Sequence, residues 1–92
     1  MANIKVVANP DKLLLNQLDV YNWPVWEKEV SDFPWTYDAE ETCYFLQGEV
    51  IVIPDGGEAV TMSTGDLVTF PEGMSCRWVI SKPVRKHYKF AG

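Results

Sequence analysis

Few side chains in this sequence are able to do chemistry: Glu41, Cys43, Cys76, Tyr37 and a lone histidine, His87. A carboxylate can give or take a proton, and an ionised thiol can bind a soft metal ion or exchange disulfides. In an extended strand, alternation puts Glu41, Cys43 and Phe45 on one face and Thr42, Tyr44 and Leu46 on the other. Cys76 and Trp78 share a face in the same way. In the run from Val84 to Phe90, the apolar Val84, Tyr88 and Phe90 fall together, with Arg85, His87 and Lys89 opposite. If the apolar face is the core, His87 looks outward, as a surface or interface residue. The two cysteines show no Cys-x-x-Cys spacing and read as free thiols rather than a disulfide framework. The sequence has no phosphate-cradling glycine loop, no Ser-His-Asp set and no Cys2His2 zinc spacing.

The elements that must position these groups are mostly strands. Turn-type clusters recur at strand-length intervals: Gln47-Gly48, Asp55-Gly56-Gly57, Ser63 to Asp66, Pro71-Glu72-Gly73 and Lys82-Pro83. Between them lie β-branched or aromatic runs at Thr42 to Leu46, Val50 to Ile53, Ala59 to Met62, Leu67 to Phe70, Arg77 to Ile80 and Val84 to Phe90. Asp55-Gly56-Gly57 between two such runs predicts a hairpin. Many short strands with no strand–helix alternation predict an all-β, antiparallel barrel or double-sheet roll. The one helix signal is Asn9-Pro10-Asp11 ahead of Lys12 to Leu18, with Asn9 as cap and Pro10 at the first helical position. Trp23, Trp26 and Trp35 crowd a segment of only thirteen residues ahead of these runs. They read as a segment packed over a sheet or as a dimer contact, with a lid or stacking platform as the functional alternative.

A chain of 92 residues, 47% hydrophobic and 13% aromatic, suits one domain: a strand and helix extension over 1–22 and a barrel over 23–90. A net charge of -5 gives no basic surplus for a nucleic-acid backbone. No apolar run approaches the ~20 residues a membrane helix needs. Nothing in Met1 to Lys5 resembles a signal peptide, so the expected setting is cytoplasmic. A barrel this small, with apolar surface to spare, is expected to pair as a homodimer.

Glu41 and Gly48 are separated by six residues, and Gly65 to Cys76 contains Pro71-Glu72-Gly73. This frame resembles the two signature motifs of the cupin superfamily: His-x-His and a glutamate before a glycine, then a glycine, Pro-x-Gly and a third histidine. Trp35, Tyr37 and Cys76 stand where the three histidines would. With Trp23 to Asp38, Cys76 to Trp78 and Arg85 to Tyr88, the chain is similar to small single-domain cupins of the (S)-ureidoglycine aminohydrolase-related family. The resemblance implies a cupin-type antiparallel β-barrel, or jelly roll. It also implies a metal site of imidazoles and one carboxylate, of which only Glu41 is retained in kind. Trp35 cannot ligate, and Tyr37 would first have to lose its phenolic proton. Glu41 and Cys76 are too few for a tight site, so no cofactor is expected. A divalent or softer ion on that pair is the one residual route.

The motif position implies that Glu41 faces the barrel interior, and Cys43 with it. The expected pocket wall is then Trp35, Tyr37, Cys43, Phe45, Cys76 and Trp78 around Glu41. Aromatic walls with a few polar anchors suit a small-molecule ligand. The competing reading is a filled core in which Glu41 is satisfied by Tyr37, Arg77 or a backbone amide. The expected function is binding of a small molecule, a polar, nitrogen-rich metabolite, and whether Glu41 also acts on it as acid or base stays open. The alternative is a non-catalytic module for a ligand or protein.

Overall fold

The turn clusters do divide the chain into strands, though two of the expected breaks are bends. The computed structural model describes residues 3–91. Its strands are β1 (Lys5–Ala8), β2 (Val25–Lys28), β3 (Ser31–Thr36), β4 (Glu41–Pro54), β5 (Val60–Ser63), β6 (Asp66–Phe70) and β7 (Ser75–Phe90). All pairs are antiparallel. β4 and β7 run together from the Glu41–Phe90 pair to the Pro54–Cys76 pair and form the frame. The first half of β4 takes β6 on its free side, and β1 continues beyond β6. The second half of β4 takes β5, across the hairpin that Asp55-Gly56-Gly57 predicts. On β7, β3 pairs with Ser75 to Ile80 and β2 with Val84 to His87.

Each long strand therefore serves two neighbours in succession, and the register shifts between Phe45 and Val50 mark the bend. Gly48 sits there at φ +114°, where a β-carbon would lie 2.6 Å from the Pro83 carbonyl oxygen. The glycine and proline that read as strand ends instead let two continuous strands fold across each other. Between the halves lies the core, including Phe45, Val50, Val52, Val68, Phe70 and Ile80.

Before β2 the chain forms α1 (Lys12–Leu18) and a 3-10 turn at Val20–Asn22. The expected cap is displaced. Asp11, not Asn9, caps α1, its carboxylate accepting the Leu14 N–H at 2.9 Å. Asn9 adopts φ 49° and donates its N–H to the Gly65 carbonyl at 3.2 Å, so it turns the chain off β1 instead.

The tryptophan segment also departs from expectation, because Trp26 and Trp35 lie in β2 and β3 and are part of the barrel wall. Pro24 and Pro34 hid these strands. Pro24 precedes β2, and Pro34 lies on β3, which pairs only with β7 and is an edge where a missing N–H is tolerated. Among the described residues, no helix is long and apolar enough to cross a membrane.

Candidate functional site

Glu41 opens β4, and the alternation of that strand turns Glu41, Cys43 and Phe45 inward, all three buried. From β7 the same period turns Val84 and Lys86 inward. Lys86 is only 4% exposed, as is Glu41. Its ammonium donates to Glu41 Oε2 at 2.7 Å and to Cys43 Sγ at 2.9 Å. The Cys43 thiol donates in turn to the same Oε2 at 2.7 Å. Trp26 and Trp78 flank the ammonium, their ring centres 5.0 and 4.9 Å from Nζ, at distances where the ring quadrupole attracts a cation.

This cluster closes one end of a cavity of about 180 Å³, whose aromatic lining includes Trp26, Phe33, Trp35, Trp78, Tyr88 and Phe90. Tyr37 also lines it, stacked on Phe70 at 4.7 Å and accepting the Trp78 indole N–H at 3.2 Å. Burial, reinforced by the Glu41 charge, pushes the Tyr37 phenol well above its ordinary range, so it remains protonated. Burial likewise pushes the Cys43 thiol up, against the pull of Lys86, and it stays a thiol. For Lys86, burial acts downward, but Cys43 and Glu41 outweigh it and hold the ammonium above the usual lysine value. The Glu41 carboxylate is the group with which the ammonium forms its ion pair, at 2.7 Å. The floor of the cavity is thus a carboxylate and an ammonium whose charges cancel.

Of the residues expected to form the wall, Trp35, Tyr37, Glu41 and Trp78 line the cavity, and Cys43, Phe45 and Cys76 do not. Cys43 stands behind Glu41 as its hydrogen-bond donor. Phe45 is fully buried behind Trp78, ring centres 6.4 Å apart. Cys76 points its thiol at the Trp35 carbonyl, 3.6 Å away, and burial first, then Asp55, raises that thiol to about 11. Sequence reasoning missed Lys86 as the partner of Glu41. Arg77, one of the partners considered, instead grips Asp32 at the surface, Nε to Oδ1 2.6 Å.

The signal for Lys86 was present: it is the one charge on the face of Val84, Tyr88 and Phe90. His87 does turn to the other side of β7, but it is not a surface residue. Its Nδ1–H donates to the Trp23 carbonyl at 2.9 Å and the Tyr21 ring lies edge-on at 5.8 Å, leaving it 7% exposed.

Two bent strands shared by two antiparallel half-sheets, with a carboxylate turned into the cavity between them, define a cupin. The chain belongs to the EutQ-like cupin domain family, which it matches over residues 15–88. Among solved structures, a DUF861 family protein from Thermotoga maritima is 48% identical, with a TM-score of 0.94 over 97% of this chain and 100% of that one. The Clostridium difficile EutQ protein is 28% identical, with a TM-score of 0.63 over 70% of this chain and 50% of its own. A putative ethanolamine utilization protein Q from Salmonella typhimurium is 30% identical, with a TM-score of 0.63 over 70% of this chain and 51% of its own. The chain therefore spans about half the length of those two EutQ proteins. A search of the curated proteins finds no match.

The cupin fold raises the question of a metal ion, and the donor set here does not fit one. Among the described residues, no group of three or more His, Cys, Asp or Glu side chains is placed to hold an ion. Tyr37 is a neutral phenol tied to Trp78, and the Cys76 thiol is turned to a backbone carbonyl. Glu41, the one retained ligand, already faces a cation in Lys86.

Proposed function

We propose that this chain is a small-molecule-binding cupin that works without a transition metal. Its ligand is a polar, nitrogen-rich metabolite held between the aromatic walls, with Glu41 exchanging a proton and Lys86 donating a hydrogen bond to the ligand. The observation that carries this reading is the buried Glu41–Lys86 pair at 2.7 Å, lining a cavity rather than sealed in the core. A buried ion pair is a poor source of stability compared with apolar residues of the same volume. Its presence on a cavity floor therefore favours a role in binding or proton transfer. A cavity of about 180 Å³ is smaller than the ~300 Å³ where drug-sized sites begin, which suits a small metabolite. The non-catalytic alternative draws support from Trp35 and Phe90, which stand half-exposed on the cavity lining where a partner could cover them.

The test is an NMR titration of the purified protein with a panel of small amides, ureas and amines. The indole N–H signals of Trp26 and Trp78 are expected to shift, and Glu41→Gln to suppress the response. A panel that moves no cavity resonance would refute the binding role. One Mn, Fe, Ni or Zn per chain by elemental analysis, lost on Glu41→Gln, would refute the metal-free part.

The working unit is proposed to be a homodimer. What supports this is the exposed apolar surface left on the barrel, with Val6 and Val7 on the edge strand β1 and Val30 beside β3. Light scattering at micromolar concentration is expected to give twice the 10.5 kDa chain mass. The monomer mass would remove the dimer from the proposal.

A further inference from the structure

Resting on the binding role proposed above, the hydrogen-bond pattern of the cavity floor narrows the ligand further. Both donors that reach Glu41, the Lys86 ammonium and the Cys43 thiol, converge on Oε2. Among the described residues, no side-chain oxygen or nitrogen is sealed away without a hydrogen-bond partner. Oε1, which receives neither bond, is therefore open to the cavity that Glu41 lines. It is an acceptor on a side chain more than nine-tenths buried, and it asks for a donor. Lys86 presents the complementary need. An ammonium has three N–H groups, and Oε2 and the Cys43 sulfur take two. The third is left for an acceptor in the cavity.

A ligand that meets both needs carries an acceptor beside a donor. It is also neutral: an anion would face the Glu41 carboxylate, and a cation would face the Lys86 ammonium. The lining away from the floor is aromatic, supplied by Phe33, Trp35, Tyr88 and Phe90, and such faces favour a flat unsaturated body. We infer that the cavity takes a neutral, ring-bearing amide or lactam, its carbonyl on Lys86 Nζ and its N–H on Glu41 Oε1. A carboxylate of the same shape supplies acceptors only and is disfavoured by Oε1. A ketone of the same shape satisfies Lys86 and leaves Oε1 without a donor.

Three probes that share one ring separate these cases: benzamide, acetophenone and benzoate, each titrated into the native protein while the indole N–H resonances are followed. Benzamide is expected to bind about tenfold more tightly than acetophenone, the usual consequence of leaving a buried polar group unpaired. Benzoate is expected to bind more weakly than either. In Glu41→Gln, which removes the repelling charge, the gap between benzoate and benzamide should narrow. If acetophenone binds as tightly as benzamide, or benzoate binds best, the amide inference fails while the cavity remains a ligand site. If none of the three shifts a cavity resonance, the inference and the binding role fall together.

Discussion

Lys86→Met alone is expected to destabilise the fold by about 3–5 kcal/mol, and the double variant Glu41→Leu with Lys86→Met to restore most or all of that loss. The single change leaves the Glu41 carboxylate 4% exposed without the cation that compensates it. The Cys43 thiol still donates to Oε2, but one neutral hydrogen bond does not replace an ammonium. Since a domain of this size is held by ~5–15 kcal/mol in all, the single variant should sit near the edge of folding. The double variant removes both charges and replaces them with apolar groups of similar length, next to Trp26 and Trp78. Urea denaturation of the native protein, Lys86→Met, Glu41→Leu and the double variant gives the coupling directly. A Lys86→Met protein that unfolds at the native midpoint would show that the pair is not compensating buried charge. A double variant as unstable as the singles would make the pair a structural element. A double variant that is stable but no longer binds ligand is the outcome that places the pair in function.

The same pair shows why the barrel was legible in the sequence and the complete site was not. Strand spacing, the Asp55-Gly56-Gly57 turn and the Glu41 to Gly48 frame all operate over a few residues, and alternation along β4 correctly turned Glu41, Cys43 and Phe45 to one side. The partner of Glu41 lies 45 positions away on a different strand, and a lysine in a strand ordinarily reads as solvated. Only the pairing of β4 with β7 brings the two together. Trp26 and Phe33 were missed for a related reason: they lie on edge strands that Pro24 and Pro34 disguise, and edges owe their form to the strand they join. Cys76 went the other way. Its motif position suggested the cavity, yet its thiol is taken by the Trp35 carbonyl of the neighbouring strand. His87 was turned the right way by alternation and then covered by Tyr21 and Trp23, residues from a segment whose packing no local pattern reveals.

Gly48→Ala is expected to damage the fold itself, by an amount on the order of 3 kcal/mol or more, combining backbone strain with a steric clash. The residue holds φ +114°, a conformation that side chains rarely adopt. An added methyl would lie 2.6 Å from the Pro83 carbonyl oxygen, 2.7 Å from Val84 Cα and 2.9 Å from Val84 Cγ2. Two of those three atoms are backbone, so relief requires β4 and β7 to move apart where they cross. That separation would propagate to Lys86, two residues beyond Val84 on the same strand, and so to its contact with Glu41. Gly56→Ala is the matched control. Gly56 also has positive φ, +71°, but nothing lies within 4 Å of the added carbon, so only the local strain of about 1–2 kcal/mol applies. Denaturation midpoints for the two variants separate the contributions. Equal losses would mean that the approach of Pro83 to Gly48 does not constrain the bend. A much larger loss at Gly48, with weakened ligand binding in whatever folded protein remains, would tie the bend of the long strands to the geometry of the cavity floor.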